Sequence, residues 1–165
     1  MKDLLDKISS YNLFNYLLPG VLFAVLADGL TSYTFIQSDI VVGVFLYYFI
    51  GLIISRLGSL AIEPILKKIS FIKFATYEDF VLVSKKDPKL EVLSEVNNMY
   101  RTFCSLFFLL GSLKAYELLA ERYPLLASRS PYILVVLLFA LFIFSYRKQT
   151  QYITKRIESA KNEHS

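Results

Sequence analysis

Charged residues are absent, or nearly so, from four stretches of this chain. Residues 11–27 run for seventeen positions without a charge, which at a rise of about 1.5 Å per residue covers about 25 Å. Residues 40–55 (IVVGVFLYYFIGLIIS) and 131–146 (PYILVVLLFALFIFSY) are equally free of charge, and the latter ends sharply at Arg147 and Lys148. The stretch 103–120 carries Lys114 and Glu117 in its second half. None reaches the usual ~20 apolar residues unaided, so each helix must run past the hydrocarbon edge. The pattern predicts an all-α, four-transmembrane-helix bundle with a helical cytoplasmic region. As a single membrane domain over 1–165, its spans fall at about 10–28, 40–57, 102–120 and 130–147. A buried soluble helix competes for each short apolar run, but four such runs leave too little polar surface to cover them. A cleaved leader competes at the N-terminus, where Lys2 and Lys7 resemble its basic start and Asp3 and Asp6 cancel it.

Between the second and third spans lies an insert of about residues 58–101, and a tail follows from 148 to 165. Thr76-Tyr77-Glu78-Asp79 reads as a capping box, with Thr76 at the N-cap and Asp79 reaching back to its amide. Asp87-Pro88 reads as the N-cap and first position of a further helix. Leu90, Leu93, Val96, Tyr100 and Phe103 then recur at helical spacing and lead into the third span. In the tail, Tyr146, Thr150, Ile153, Ile157 and Ala160 alternate four and three apart, a heptad-like stripe. Two protruding helices packed together would bury it. Leu90, Leu93, Val96, Ile153 and Ile157 are the candidate partner-binding positions.

Composition agrees with the membrane class. Of the 165 residues 55% are hydrophobic and 19% charged, against about 45–50% and about 25% in soluble domains. The single Cys104 cannot form an intrachain disulfide. The lone His164 leaves no Ser-His-Asp set, and no phosphate-cradling glycine loop occurs. The chain therefore reads as no enzyme, with no cofactor and no metal.

The net charge of +4 would suit nucleic acid if the basic residues lined one face, but they flank the apolar runs instead. Fifteen of the 18 Lys and Arg fall in the N-terminal segment, the 58–101 insert with Arg56, and the tail; only Arg122 and Arg129 lie in the connections opposite. By the positive-inside rule both termini face the cytoplasm of a bacterial inner membrane. Lys85, Lys86 and Lys89 fit that basic surface, and no nucleic-acid partner is expected.

Small residues recur at four-residue spacing: Gly20 with Ala24, and Gly51 with Ser55 and Ser59. Such rows let helix backbones approach closely in lipid, within one chain or between chains. Pro19-Gly20 predicts a kink in the first span, a static bend or a hinge. Ionisable groups at membrane depth are candidates for a path or a structural pair. Lys114 and Glu117 are spaced to pair, and Asp28 stands where it could cap the first helix or face Lys114. Arg56, Glu63 and Lys67 share one helical face and read as the membrane-water boundary.

In topology the whole chain resembles the small four-helix membrane subunits and effectors of bacterial antiphage defence, such as the membrane component of the Kiwa system and the membrane proteins accompanying type VI CRISPR loci. The stretches FNYLLPG (14–20) and LKKISFIKF (66–74) carry no motif of those families, so no site residue is taken from it. The resemblance implies a protein that oligomerises and either tethers a cytoplasmic partner or disturbs the membrane. Two functions follow: an interaction scaffold holding a soluble protein at the inner face, or an oligomeric pore lined by Lys114, Glu117 or Asp28. The expected partners are membrane lipid, further copies of the chain and a cytoplasmic protein.

Overall fold

The computed structural model describes residues 13–162, all-helical and without a strand among them. Lys2, Lys7, Asp3, Asp6 and His164 lie outside the described residues. Helix α1 covers Leu13–Leu30, α2 covers Ile40–Lys68, α3 covers Tyr77–Ser84, α4 covers Lys89–Arg122 and α5 covers Pro124–Asn162. Helices α1, α2, α4 and α5 are long and apolar enough to cross a membrane.

Prolines shape three of these helices. A π-helical turn opens α1 over Leu13–Leu17, and another interrupts α2 over Gly58–Ile62, where the Glu63 amide donates to the Gly58 carbonyl five residues back. Each turn ends two residues before a proline, Pro19 and Pro64. A proline lacks the amide proton and its ring collides with the carbonyl four residues earlier. Those carbonyls belong to Asn15 and Leu60, inside the wide turns, so the bulge absorbs the collision without ending the helix. Pro131 sits inside α5, which begins seven residues before it at Pro124 rather than near residue 130. There the carbonyl that loses its partner is Ala127, and the Ser130 hydroxyl stands 2.7 Å from it as a replacement donor.

The helix starts follow local chemistry. Asp39 accepts from the Val42 amide at 2.9 Å and caps α2. Thr76 accepts from the Asp79 amide at 3.1 Å and caps α3. The expected reciprocal bond differs: the Asp79 carboxylate accepts from the Thr76 hydroxyl at 2.6 Å, not from its amide. Helix α4 starts one residue later than Asp87-Pro88 suggests, at Lys89, whose amide is capped by the Asp87 carboxylate at 3.0 Å.

Helices α1, α2 and α4 form the core. Phe23 and Ala27 from α1, Ile50 and Ile54 from α2, and Leu106 and Leu110 from α4 are buried against one another. The approach of α1 to α2 is set by two glycines in reciprocal positions. A Cβ on Gly20 would overlap the Tyr47 carbonyl oxygen, and one on Gly51 would overlap that of Tyr16. Only a residue without a side chain allows the backbones that close. A Cβ on Gly58 would crowd the Arg101 carbonyl oxygen at 3.2 Å and the Ser105 Cβ at 3.3 Å on α4, and the Ser105 hydroxyl donates to the Ile54 carbonyl at 2.8 Å.

Helix α5 lies outside this core. None of its most apolar stretch is buried, against 39% of that in α1. Its ties are few: Phe142 stacked on Phe49 with ring centroids 6.0 Å apart, Lys148 on Ser59, Tyr152 near Tyr77, and Leu126 and Ser130 at the Tyr116 hydroxyl. The short α3 packs on both α4 and α5, with Val81 buried beneath it.

Candidate functional site

At the end of the helices where α1 begins and α5 runs out, charges from three helices meet. Glu63 occupies the turn of α2 that follows the π bulge and is buried. Lys67, one turn further on, reaches Glu63 Oε1 at 2.9 Å, and Arg101 from α4 reaches Oε2 at 2.7 Å. Lys148 from α5 stands 4.0 Å from Oε1 and donates to the Ser59 carbonyl at 2.6 Å and the Ser59 hydroxyl at 2.8 Å. Arg56, one turn before Ser59, donates to the neutral Tyr16 hydroxyl at 3.3 Å and has no ion pair among the described residues. A carboxylate this buried requires paired, hydrogen-bonded cations, because a lone charge out of water costs several kcal/mol. Glu63 therefore ties α2 to α4, and Lys148 fastens α5 to the same place. The Lys67 ammonium also lies 4.1 Å from the Phe74 ring centroid, which draws the following connection over the cluster.

The sequence marks Arg56, Glu63 and Lys67 as neighbours on one face, but Arg101 and Lys148 join them from 38 and 85 residues beyond Glu63. No local pattern announces that. The available signal is a lone acid, next to a proline, in a stretch otherwise apolar or basic.

At the opposite end, Lys114 pairs with Glu117 at 2.5 Å, and the buried Glu117 accepts from the Ser32 amide at 2.6 Å. The candidate trio is thus not brought together: Asp28 is exposed, with no ion pair among the described residues. Glu117 from α4 instead anchors the chain just after α1, through the Ser32 amide. Tyr33, in the connection beside this pair, has its phenol pushed above the ordinary value by desolvation first and then by Tyr116, Glu117 and Glu121. Nearby, the Tyr116 hydroxyl meets that of Ser130 and joins α4 to the start of α5.

The five small-residue positions are all buried within one chain. Gly20 and Gly51 face the opposing backbone, Ala24 lies in the α1 interface, Ser55 is enclosed on α2, and Ser59 accepts from Lys148. The sequence pattern omits Gly58, which faces α4.

The candidate partner-binding positions lie at the Glu63 end. Leu90 is half-buried, while Leu93, Val96, Ile153 and Ile157 are 62%, 37%, 53% and 51% exposed. The expected burial of the tail stripe does not occur. Helix α5 turns Ser145, Tyr152 and Ser159, spaced by seven, toward its neighbours, and the apolar stripe at 146, 153, 157 and 160 sits one position round from them. Among the described residues no group of three His, Cys, Asp or Glu side chains is placed to hold a metal ion.

Comparison of the chain with protein-family models, with curated proteins and with solved structures finds no match in any of the three.

Proposed function

We propose that this chain is a four-helix membrane bundle that serves as a non-enzymatic interaction subunit. In this reading it sits in a bacterial inner membrane with both termini cytoplasmic, oligomerises, and holds a soluble protein at the inner face. The observation that carries the reading is the exposed apolar surface on the two longest helices. Helix α4 has 34 residues and α5 has 39, about 51 and about 58 Å at about 1.5 Å per residue, against a hydrocarbon core of about 30 Å. Both overrun the core at the Glu63 end, and Leu93, Val96, Ile153 and Ile157 lie on the overrun with their side chains uncovered. Apolar side chains held in water at adjacent helix faces mark an interaction site. The topological resemblance supports antiphage defence as the setting of such a subunit.

The pore reading draws less support, because Lys114 and Glu117 spend their charges on each other and on the Ser32 amide. The deciding experiment is purification of a tagged chain from its native host in mild detergent, followed by native mass determination. A stoichiometric soluble companion, lost in I153D/I157D while the membrane protein itself is recovered unchanged, is the expected result. A homo-oligomer without companion whose conductance in liposomes disappears on Lys114→Leu and Glu117→Leu would replace this reading by the pore.

A further inference from the structure

Among the described residues, charge at the Glu63 end is out of balance. Three cations, Lys67, Arg101 and Lys148, lie within 4.0 Å of one carboxylate. Glu63 has both oxygens engaged at short range by Lys67 and Arg101, and Lys148 satisfies two of its three protons on the neutral oxygens of Ser59. Arg56 adds a fourth cation, whose one hydrogen bond among the described residues is to a phenol hydroxyl. The side chains of Arg101 and Lys148 are only 20% and 24% exposed, so water screens this surplus poorly. One donor is also left over: the Arg101 Nε is buried without a partner among the described residues. Part-buried cations beyond the number of anions, with an idle guanidinium donor among them, call for an anion that no described residue supplies.

We propose that Arg101 on α4 and Lys148 on α5 together bind a phosphate group, with Arg56 contributing charge from α2. Phosphate fits the donors: a guanidinium presents paired N–H groups that match two phosphate oxygens, and an ammonium serves a third. Position favours a phospholipid headgroup as the source. The cluster stands where the apolar stretches of α2 and α5 give way to basic residues, the depth at which headgroup phosphates lie, and its net positive charge selects anionic over zwitterionic lipid. A soluble phosphate would satisfy the same donors. Glu63 in this arrangement holds Lys67 and Arg101 in place while the phosphate takes the charge left over. The inference does not depend on any protein partner.

The test uses the full-length chain, delipidated in detergent and titrated with phosphatidylglycerol or phosphatidylcholine, with retained lipid counted by native mass spectrometry. Phosphatidylglycerol is expected to be retained about tenfold better. Lys148→Met, which keeps both short Glu63 pairs, should lower that retention about fivefold, in line with about 1 kcal/mol per cation near anionic headgroups. Lys148→Arg should restore it, and Arg147→Met, one residue away and outward-facing, should leave it unchanged. Arg56→Met reads the same surplus should Lys148→Met fail to run as a single species. Inorganic phosphate that raises the melting temperature of the lipid-free protein, and not of Lys148→Met, would keep the site and assign it to a soluble phosphate. Equal retention of the two lipids with no response to phosphate, or equal losses in Arg147→Met and Lys148→Met, would overturn the proposal.

Discussion

Helices α1, α2 and α4 meet along their lengths, whereas α5 touches them at separate points. The difference follows from residue size. Where α1 faces α2, Gly20 and Gly51 each accept the other helix's backbone, and where α2 faces α4, Gly58 and Ser105 do the same. The stretch of α5 at 131–146 carries Leu, Val, Ile and Phe at almost every position, with only Ala140 and Ser145 small. Lipid tails are as apolar as these side chains, so burying them against another helix brings no solvent gain, and association depends on close fit and polar ties. Helix α5 has the ties without the fit: the Phe142–Phe49 stack, Lys148 on Ser59 and near Glu63, and Ser130 at the Tyr116 hydroxyl. Its outer surface is left to lipid in the middle and, beyond Arg147, to whatever meets the exposed stripe.

Substitutions can break this contrast. The largest effect is expected from Gly51→Leu, whose side chain has no space against the Tyr16 carbonyl. The loss should exceed about 3 kcal/mol, seen as failure to recover a monodisperse protein in detergent, while Gly111→Leu, with open space around it, should behave as the parent. Next is Leu106→Ala, which opens a cavity at a fully buried position shared by three helices. A cost of about 3 kcal/mol is expected in detergent unfolding. Glu63→Gln should cost about 2 kcal/mol, less than a fully buried pair because Lys67 and Arg101 keep some water contact. Its signature is increased protease cleavage in the 69–76 connection, since Lys67 loses the carboxylate that holds it near Phe74. The smallest effect belongs to Phe142→Ala on α5, about 0.5–1 kcal/mol for one stacked pair. A loss there equal to that of Leu106→Ala would put α5 in the core and end the distinction.

How far these regions are legible in sequence differs in the same way. The small-residue rows and the apolar runs depend on neighbours three or four positions apart, and so does the Lys114–Glu117 pair. Helical spacing exposes such relations directly. The caps at Thr76 and Asp87 are readable for the same reason, with errors of one residue or of which atom returns the bond. The start of α5 is not readable, because Pro131 looks like a helix beginning until Ser130 is seen replacing its missing donor. The tail stripe misleads by one position. Its periodicity is that of a packed face, but the neighbours it meets through Tyr152 and Ser159 are polar and aromatic. Asp28 stands apart from the Lys114–Glu117 pair because closeness along an expected membrane boundary does not determine which side chains meet.

Sequence alone determined that this chain is helical, and that four of its helices are long and apolar enough to span a membrane, because charge-free length and helical period are properties of neighbouring residues. Only the tertiary structure decided that Glu63 is shared by Lys67 and Arg101 with Lys148 close by, that Glu117 rather than Asp28 secures the chain after α1, and that α5 stands apart. Those outcomes depend on which helix faces meet across dozens of residues, and on a buried charge accepting whichever partners the packing brings within a few ångströms.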